Sequence, residues 1–207
     1  TDVTLKDPKD WKLVGQRVAR LDTVEKTTGA QVYGADLTLP GMLNAAVKAC
    51  PVFGGKVKSV DTAKAMAMPG VKKVVTLEGK AVAVVADTWW RAKRALDALP
   101  IEWDLGEHAK ASSADFDAVL KAALDAPEAV VGNRNGDVKA ALAGAAHTIS
   151  AVYAYPHQNH ATMEPMNATA KWTPQRCEVW TPTQTGEAAL AATANAAGLP
   201  PAQCEVY

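Results

Sequence analysis

The sequence predicts an α+β chain built in two pieces. Runs rich in β-branched residues, such as Val71–Leu77 and Ala81–Ala86, alternate with capped amphipathic segments. A stretch rich in turn residues, 105–136, then interrupts the alternation. After it, an apolar run from Ile149 to Tyr155 delivers the chain into a dense polar loop, Pro156–Asn167. Loops held on rigid scaffolds are where binding and catalysis concentrate, so that loop is the first place to look for function.

The elements follow in order. Residues 1–28 are polar, with Trp11, Leu13 and Val14 as candidate anchors. Leu43 to Cys50 reads as a strand after the Pro40-Gly41 turn, and Lys56 to Val60 as a short strand entered through Gly54-Gly55. Thr62 to Met68 suits a short helix capped by Asp61 or Thr62 and stopped by Pro69-Gly70. Val71–Leu77 and Ala81–Ala86 read as strands. Asp87 or Thr88 caps a helix to about Leu99, with Trp89, Ala92, Leu96 and Leu99 near one face. Consecutive helical residues point about 100° apart, so Trp89 and Trp90 are expected to split into one core and one interface residue. Pro100 ends that helix and Ile101 to Trp103 closes the first piece as a strand.

Ser112-Ser113 signals the start of a helix over Asp115 to Ala126, and Pro127 closes it. Gly132-Asn133-Arg134-Asn135-Gly136 is turn chemistry, without the lysine or glycine spacing of a phosphate loop. Asp137 caps a short helix through Ala143, ended by Gly144. His147 to Tyr155 reads as a strand. Ala168 to Trp172 and Cys177 to Trp180 form a hairpin, and Glu187 to Ala197 a helix ended by Gly198. Glu205 to Tyr207 begins a further strand.

Composition narrows the function classes. With 22 Lys and Arg against 22 Asp and Glu in 207 residues, there is no net charge, which argues against broad electrostatic binding of nucleic acid. No apolar run approaches the roughly 20 residues of a membrane helix, and no membrane span is expected. The three cysteines, Cys50, Cys177 and Cys204, are far apart and form no CxxC pair. Inert buried thiols are expected, with no disulfide framework and no zinc or iron–sulfur site from this chain alone.

Three readings fit the polar loop. His157, His160 and Glu164 have HxxHxxxE spacing, which on a helix would place them on one face as metal ligands, and a metal-dependent hydrolase would follow. Asn159, Thr162 and Pro165 weaken such a helix, and the HExxH arrangement is absent. Alternatively, the histidines and Glu164 hydrogen-bond loop backbone at a buried turn. In the third reading Gln158 is a cofactor-facing amide, its donor and acceptor suited to an oxo or sulfido ligand and its neighbours.

The order of the motifs resembles the molybdopterin-binding large subunit of the xanthine oxidase / aldehyde oxidase family, most of all the isoquinoline 1-oxidoreductase β-subunit type. The first piece is similar to that family's α/β hammerhead domain. The residues that carry this are Thr28 to Asp36, Leu39 to Leu43, Cys50 to Val57, Val82 to Asp87 with Trp89-Trp90-Arg91-Ala92-Lys93, and Ile101 to Asp104. The second piece is similar to the start of the molybdenum-cofactor domain, through Gln158-Asn159-His160, Met163-Glu164-Pro165, and Val179-Trp180 to Gln184.

The residues divide the chain into an N-terminal linker segment (1–28), a first piece (29–104), a connector (105–136) and a second piece (137–207), and the resemblance implies that the pieces are a hammerhead domain and a truncated N-terminal part of the cofactor domain. It implies that Gln158 lies close to molybdenum, with Gln184 and Glu164 shaping the loop. The family's GGGFGG-type loop is expected just beyond Tyr207 and its catalytic Glu much later, so no catalytic residue is expected in this chain. The chain then reads as an internal portion of a longer subunit, inactive alone. The implied cofactor is a molybdenum–molybdopterin cytosine dinucleotide, with [2Fe-2S] clusters in a small partner subunit. The implied reaction is hydroxylation of an aromatic N-heterocycle or oxidation of an aldehyde, with water as the oxygen source. A cytochrome c electron acceptor and a periplasmic location, or alternatively a cytoplasmic one, follow by the same analogy. A non-catalytic docking module built on Phe53, Trp89 and Trp90 is the other reading of the first piece.

Overall fold

The computed structural model describes residues 3–207. In chain order the elements of the first half are α1 (Thr23–Thr28), β1 (Asn44–Ala49), β2 (Lys56–Val60), α2 (Ala63–Met66), β3 (Val71–Leu77), β4 (Ala81–Ala86), α3 (Trp89–Asp97) and β5 (Ile101–Asp104). Then come α4 (Ser113–Leu124), α5 (Val138–Ala143), β6 (Thr169–Thr173), β7 (Arg176–Trp180), α6 (Gly186–Ala197) and β8 (Cys204–Val206). The chain is mixed α+β, as its patterning predicts.

Contacts divide the chain into two compact units. One is Pro40–His160; the other joins the described residues through Leu39 to Ala161–Tyr207. The boundaries expected at 29, 105 and 137 track composition along the chain. The compact units track contacts, and they place 29–39 with the C-terminal strands rather than with β1–β5.

In the Pro40–His160 unit, β4 is the centre of a three-stranded antiparallel sheet ordered β1-β4-β3. Val82, Val84 and Ala86 of β4 are fully buried. The helix α3 lies against this sheet through Ala92, Ala95 and Leu96, with Leu99 just past its end in the same core. Two alanines at the contact let the helix backbone approach the strands closely. Thr88 caps α3 by accepting from the Arg91 amide at 3.3 Å, and its last turn closes before Pro100. β2 and β5 pair separately, with an irregularity between Val57 and Ser59. Val57, Val60, Ile101 and Trp103 of this pair pack on the same core.

Two expectations fail here. Trp89 and Trp90 are both exposed, at 55% and 63%. The helix starts just after β4 ends, so its first turn runs beyond the sheet and the buried stripe begins at Ala92. His147 to Tyr155 forms no strand. Ile149, Val152, Tyr153 and Tyr155 stand exposed, and among the described residues no neighbour supplies the ladder that a strand requires. Indeed every residue from 104 to 163 is exposed, including α4 and α5. Those two helices form from local signals. Ser112 and Asp115 make a reciprocal capping box, and Asp137 accepts from the Ala140 amide.

In the second unit β6 and β7 form an antiparallel hairpin, and β8 adds in parallel to β7. The crossover between the parallel strands is α6, as parallel pairing requires. Cys177, Ala194 and Cys204 make the small core, with Val179, Leu190, Ala197 and Leu199 around it. Cys177 and Cys204 are register partners, both are free thiols, and burial pushes the Cys177 thiol up. Cys50 is half-buried, which departs from the expectation of three buried thiols. The helix α1 escapes sequence patterning because it has no apolar face. It rests on Asp22, which pairs with Lys26 one turn on, and on the hydroxyls of Thr27 and Thr28 bonding back to Thr23 and Val24 carbonyls.

Candidate functional site

The loop that draws attention in the sequence is irregular throughout, so its histidines never share a helical face. Ala161 adopts a left-handed conformation (φ 44°), an uncommon one for a residue with a Cβ. His157 meets the ring of Phe116 edge-on, with centroids 5.9 Å apart. Gln158 and His160 are exposed. Among the described residues no three His, Cys, Asp or Glu side chains come together as a metal site. The expected buried turn is also absent up to Met163.

The chain becomes anchored at Glu164. Its Oε1 accepts the Gly34 amide at 2.9 Å and the Asn167 Nδ2 at 3.4 Å. Asn167 Nδ2 also donates to the Pro165 carbonyl at 2.7 Å, and the Asn167 carbonyl accepts from the Thr181 hydroxyl at 3.1 Å. Thr162 turns its hydroxyl onto the Glu164 carbonyl. On the other side of the clasp, the Tyr33 amide donates to Asp36 Oδ2 at 3.0 Å, holding the 34–36 turn. No space remains for a side chain at 34: a Cβ there would lie 2.5 Å from Asn167 Oδ1 and 3.2 Å from Glu164 Oε1.

Beside the clasp is a cavity of about 290 Å³ lined by Val32, Tyr33, Gly34, Leu37, Glu164, Trp180, Thr181, Pro182 and Tyr207. Trp180 and Tyr207 stack at 5.2 Å and form one wall. The Tyr207 hydroxyl bonds to Glu205 at 2.5 Å, which pushes the phenol up and, with Arg176, holds the Glu205 carboxyl below its usual range. These groups are exposed and form a solvated charge cluster rather than a reactive centre. Gln184 is exposed, in a turn held by the Thr185 amide donating to Thr183.

The structure thus brings Glu164 together with Gly34 and Asn167, while His157, His160 and Gln158 take no part in the hydrogen bonds of that clasp. Gly34, Asn167 and Phe116 carry roles that patterning does not reveal. The one available signal was the Glu-Pro-x-Asn run, dense in groups that bond their own backbone.

Comparison with known proteins agrees with the motif order. Residues 123–207 match the molybdopterin cofactor-binding domain family. A nicotinate dehydrogenase subunit of Pseudomonas putida is 32% identical over 199 residues, covering 88% of this chain and 16% of that one. The β-subunit of isoquinoline 1-oxidoreductase from Brevundimonas diminuta is 34% identical over 101 residues, covering 49% of this chain and 13% of the relative. The chain therefore spans less than a fifth of the length of these relatives. Among solved structures, quinoline 2-oxidoreductase of Pseudomonas putida 86 superposes with a TM-score of 0.65 over 93% of this chain and 30% of that one. At 22% identity that likeness speaks to the fold alone.

Proposed function

From the premise that this chain belongs to the molybdopterin-binding subunits of the xanthine oxidase family, we propose that it forms part of a molybdenum hydroxylase, contributing one wall of the cofactor pocket. The observation that carries the proposal is the match over residues 123–207 to the molybdopterin cofactor-binding domain, a stretch that contains Gln158 and Glu164.

The donor set of the chain suits that role. Gln158 presents a carboxamide, a donor NH2 and an acceptor oxygen on one planar group, on an exposed segment. The molybdenum cofactor, when bound, would supply the redox chemistry: it would take two electrons from the substrate carbon, which gains an oxygen atom from water. Gln158 orients the bound group by hydrogen bonding, an electrostatic and positioning task. It moves no proton, because a carboxamide does not titrate in the working range. The acid–base work is assigned, by family likeness alone, to a glutamate outside this chain.

The substrate class in this reading is an aromatic N-heterocycle or an aldehyde, supported by the names of the relatives. The cofactor form is the cytosine dinucleotide, the partner a small subunit with [2Fe-2S] clusters, and the location periplasmic. These finer points rest on family likeness. The test is Gln158→Ala in the holoenzyme. Turnover is expected to fall roughly 10²–10³-fold, the loss typical of a preorganised donor, with an unchanged far-ultraviolet circular dichroism spectrum. Wild-type turnover in that variant would remove Gln158 from the pocket.

A further inference from the structure

We infer that Glu164 is a positioning residue for the segment that carries Gln158, acting through the backbone amide of Gly34; this rests on the Gln158 reading above. The segment from 104 to 163 is exposed throughout, so packing does not hold it. Glu164 is the first half-buried residue after Gln158, six positions on. Its carboxylate bonds to an amide 130 residues away in sequence. A hydrogen bond to an ionised acceptor is about twice as strong as a neutral one, so a single carboxylate is well suited to pin an otherwise unpacked segment.

The geometry around the contact is tight in a way that a casual surface contact is not. A Cβ at position 34 would fall 2.5 Å from Asn167 Oδ1. Asn167 Oδ1 is buried without a hydrogen-bond partner, while its Nδ2 is committed to Glu164 and the Pro165 carbonyl. The amide of Asn167 is therefore oriented by Glu164, and it accepts an unpaired oxygen in return. Thr181 ties the same residue to the end of β7. Between this clasp and Gln158 in the chain lies the left-handed Ala161. A role for Glu164 as a metal ligand finds no support, because no group of three His, Cys, Asp or Glu side chains comes together among the described residues.

The experiment compares Glu164→Ala with Glu164→Gln in the holoenzyme. Glutamine keeps an oxygen that can accept the Gly34 amide; alanine does not. In Glu164→Ala, retained molybdenum and kcat are each expected to fall roughly 10–100-fold, the usual effect of losing an outer-shell partner. The loss should fall on kcat rather than KM, and protease cleavage mapped by mass spectrometry should increase within 156–163. Glu164→Gln should recover most of all three. Gly34→Ala should reproduce the loss, and Asn167→Ala in the same protein should relieve it. Wild-type metal content and cleavage in Glu164→Ala would overturn the inference, as would a Glu164→Gln variant as damaged as Glu164→Ala. The cleavage readout needs no turnover. Increased cleavage in Glu164→Ala beside unchanged turnover in Gln158→Ala would keep the clasp and remove the Gln158 reading.

Discussion

Gly70 offers a sharp quantitative test of the first unit. It lies between α2 and β3 at φ 80°, and its carbonyl accepts the Asp87 amide at 3.1 Å. An added Cβ would run into Asp87 Oδ1 and lie 2.6 Å from Arg91 Cδ. Gly70→Ala therefore carries two costs. The left-handed backbone costs about 1–2 kcal/mol with a Cβ present. Forcing the Asp87 and Arg91 side chains aside adds about 1 kcal/mol or more, including an i,i+4 ion pair worth roughly 0.3–0.5 kcal/mol at this exposure. Gly79 provides the control. It is also left-handed, at φ 68°, but a Cβ there meets nothing within 4 Å. Gly79→Ala should cost only the backbone share, about 1–2 kcal/mol. Urea denaturation would give both values, read as a shift in midpoint at constant slope. Removing the obstructing carboxylate with Asp87→Ala should close most of the gap between the two glycine variants. Equal losses in Gly70→Ala and Gly79→Ala, within about 0.3 kcal/mol, would refute the steric argument, and so would a gap that survives removal of both side chains in an Asp87→Ala, Arg91→Ala background.

Two further outcomes are expected. Lys26 and then Arg20 hold the Asp22 carboxyl at about 2, below its ordinary 3.8. Because the folded value is depressed, the support Asp22 lends α1 is present above 3.8 and lost as pH falls through about 2. Lys26→Ala should raise the Asp22 midpoint in an NMR carboxyl titration, and an unmoved midpoint would show that the pair does not form in solution. Trp89, Trp90 and Phe53 are exposed at 55%, 63% and 94%, and Arg94 lies over the Trp90 ring. If they meet the small [2Fe-2S] subunit, Trp90→Ala should weaken co-elution of the two subunits in size-exclusion chromatography; unaltered co-elution would place the docking surface elsewhere.

Much of the local structure was legible because its causes are local. The strands Val71–Leu77 and Ala81–Ala86 have the expected bounds, since β-branched residues between turn signals leave few other choices. The caps at Thr88, Ser112 and Asp137 form as their side chains predict, because a cap depends only on the next three residues. The run 147–155 shows the limit of such reasoning. Its alternation of side chains is strand-like, yet a strand exists only when a neighbour completes its ladder. Trp89 shows another limit, because periodicity cannot tell where a sheet ends beneath a helix.

The candidate site divides along the same line. Motif order along the chain was sufficient to identify the family, because order and spacing are properties of the sequence itself. For Glu164 the sequence offered two readings, a metal ligand in HxxHxxxE spacing and a carboxylate bonding backbone at a turn; the second fits its bond to a backbone amide, but the partner, Gly34, 130 residues away, was not available there. That pairing, and the lack of room for any side chain at position 34, depends on where two distant backbones meet. The sequence by itself determined most of the elements, several of their caps and the family. Only the tertiary structure decided the partner of Glu164, because a hydrogen bond depends on distance in space and sequence pattern records only distance along the chain.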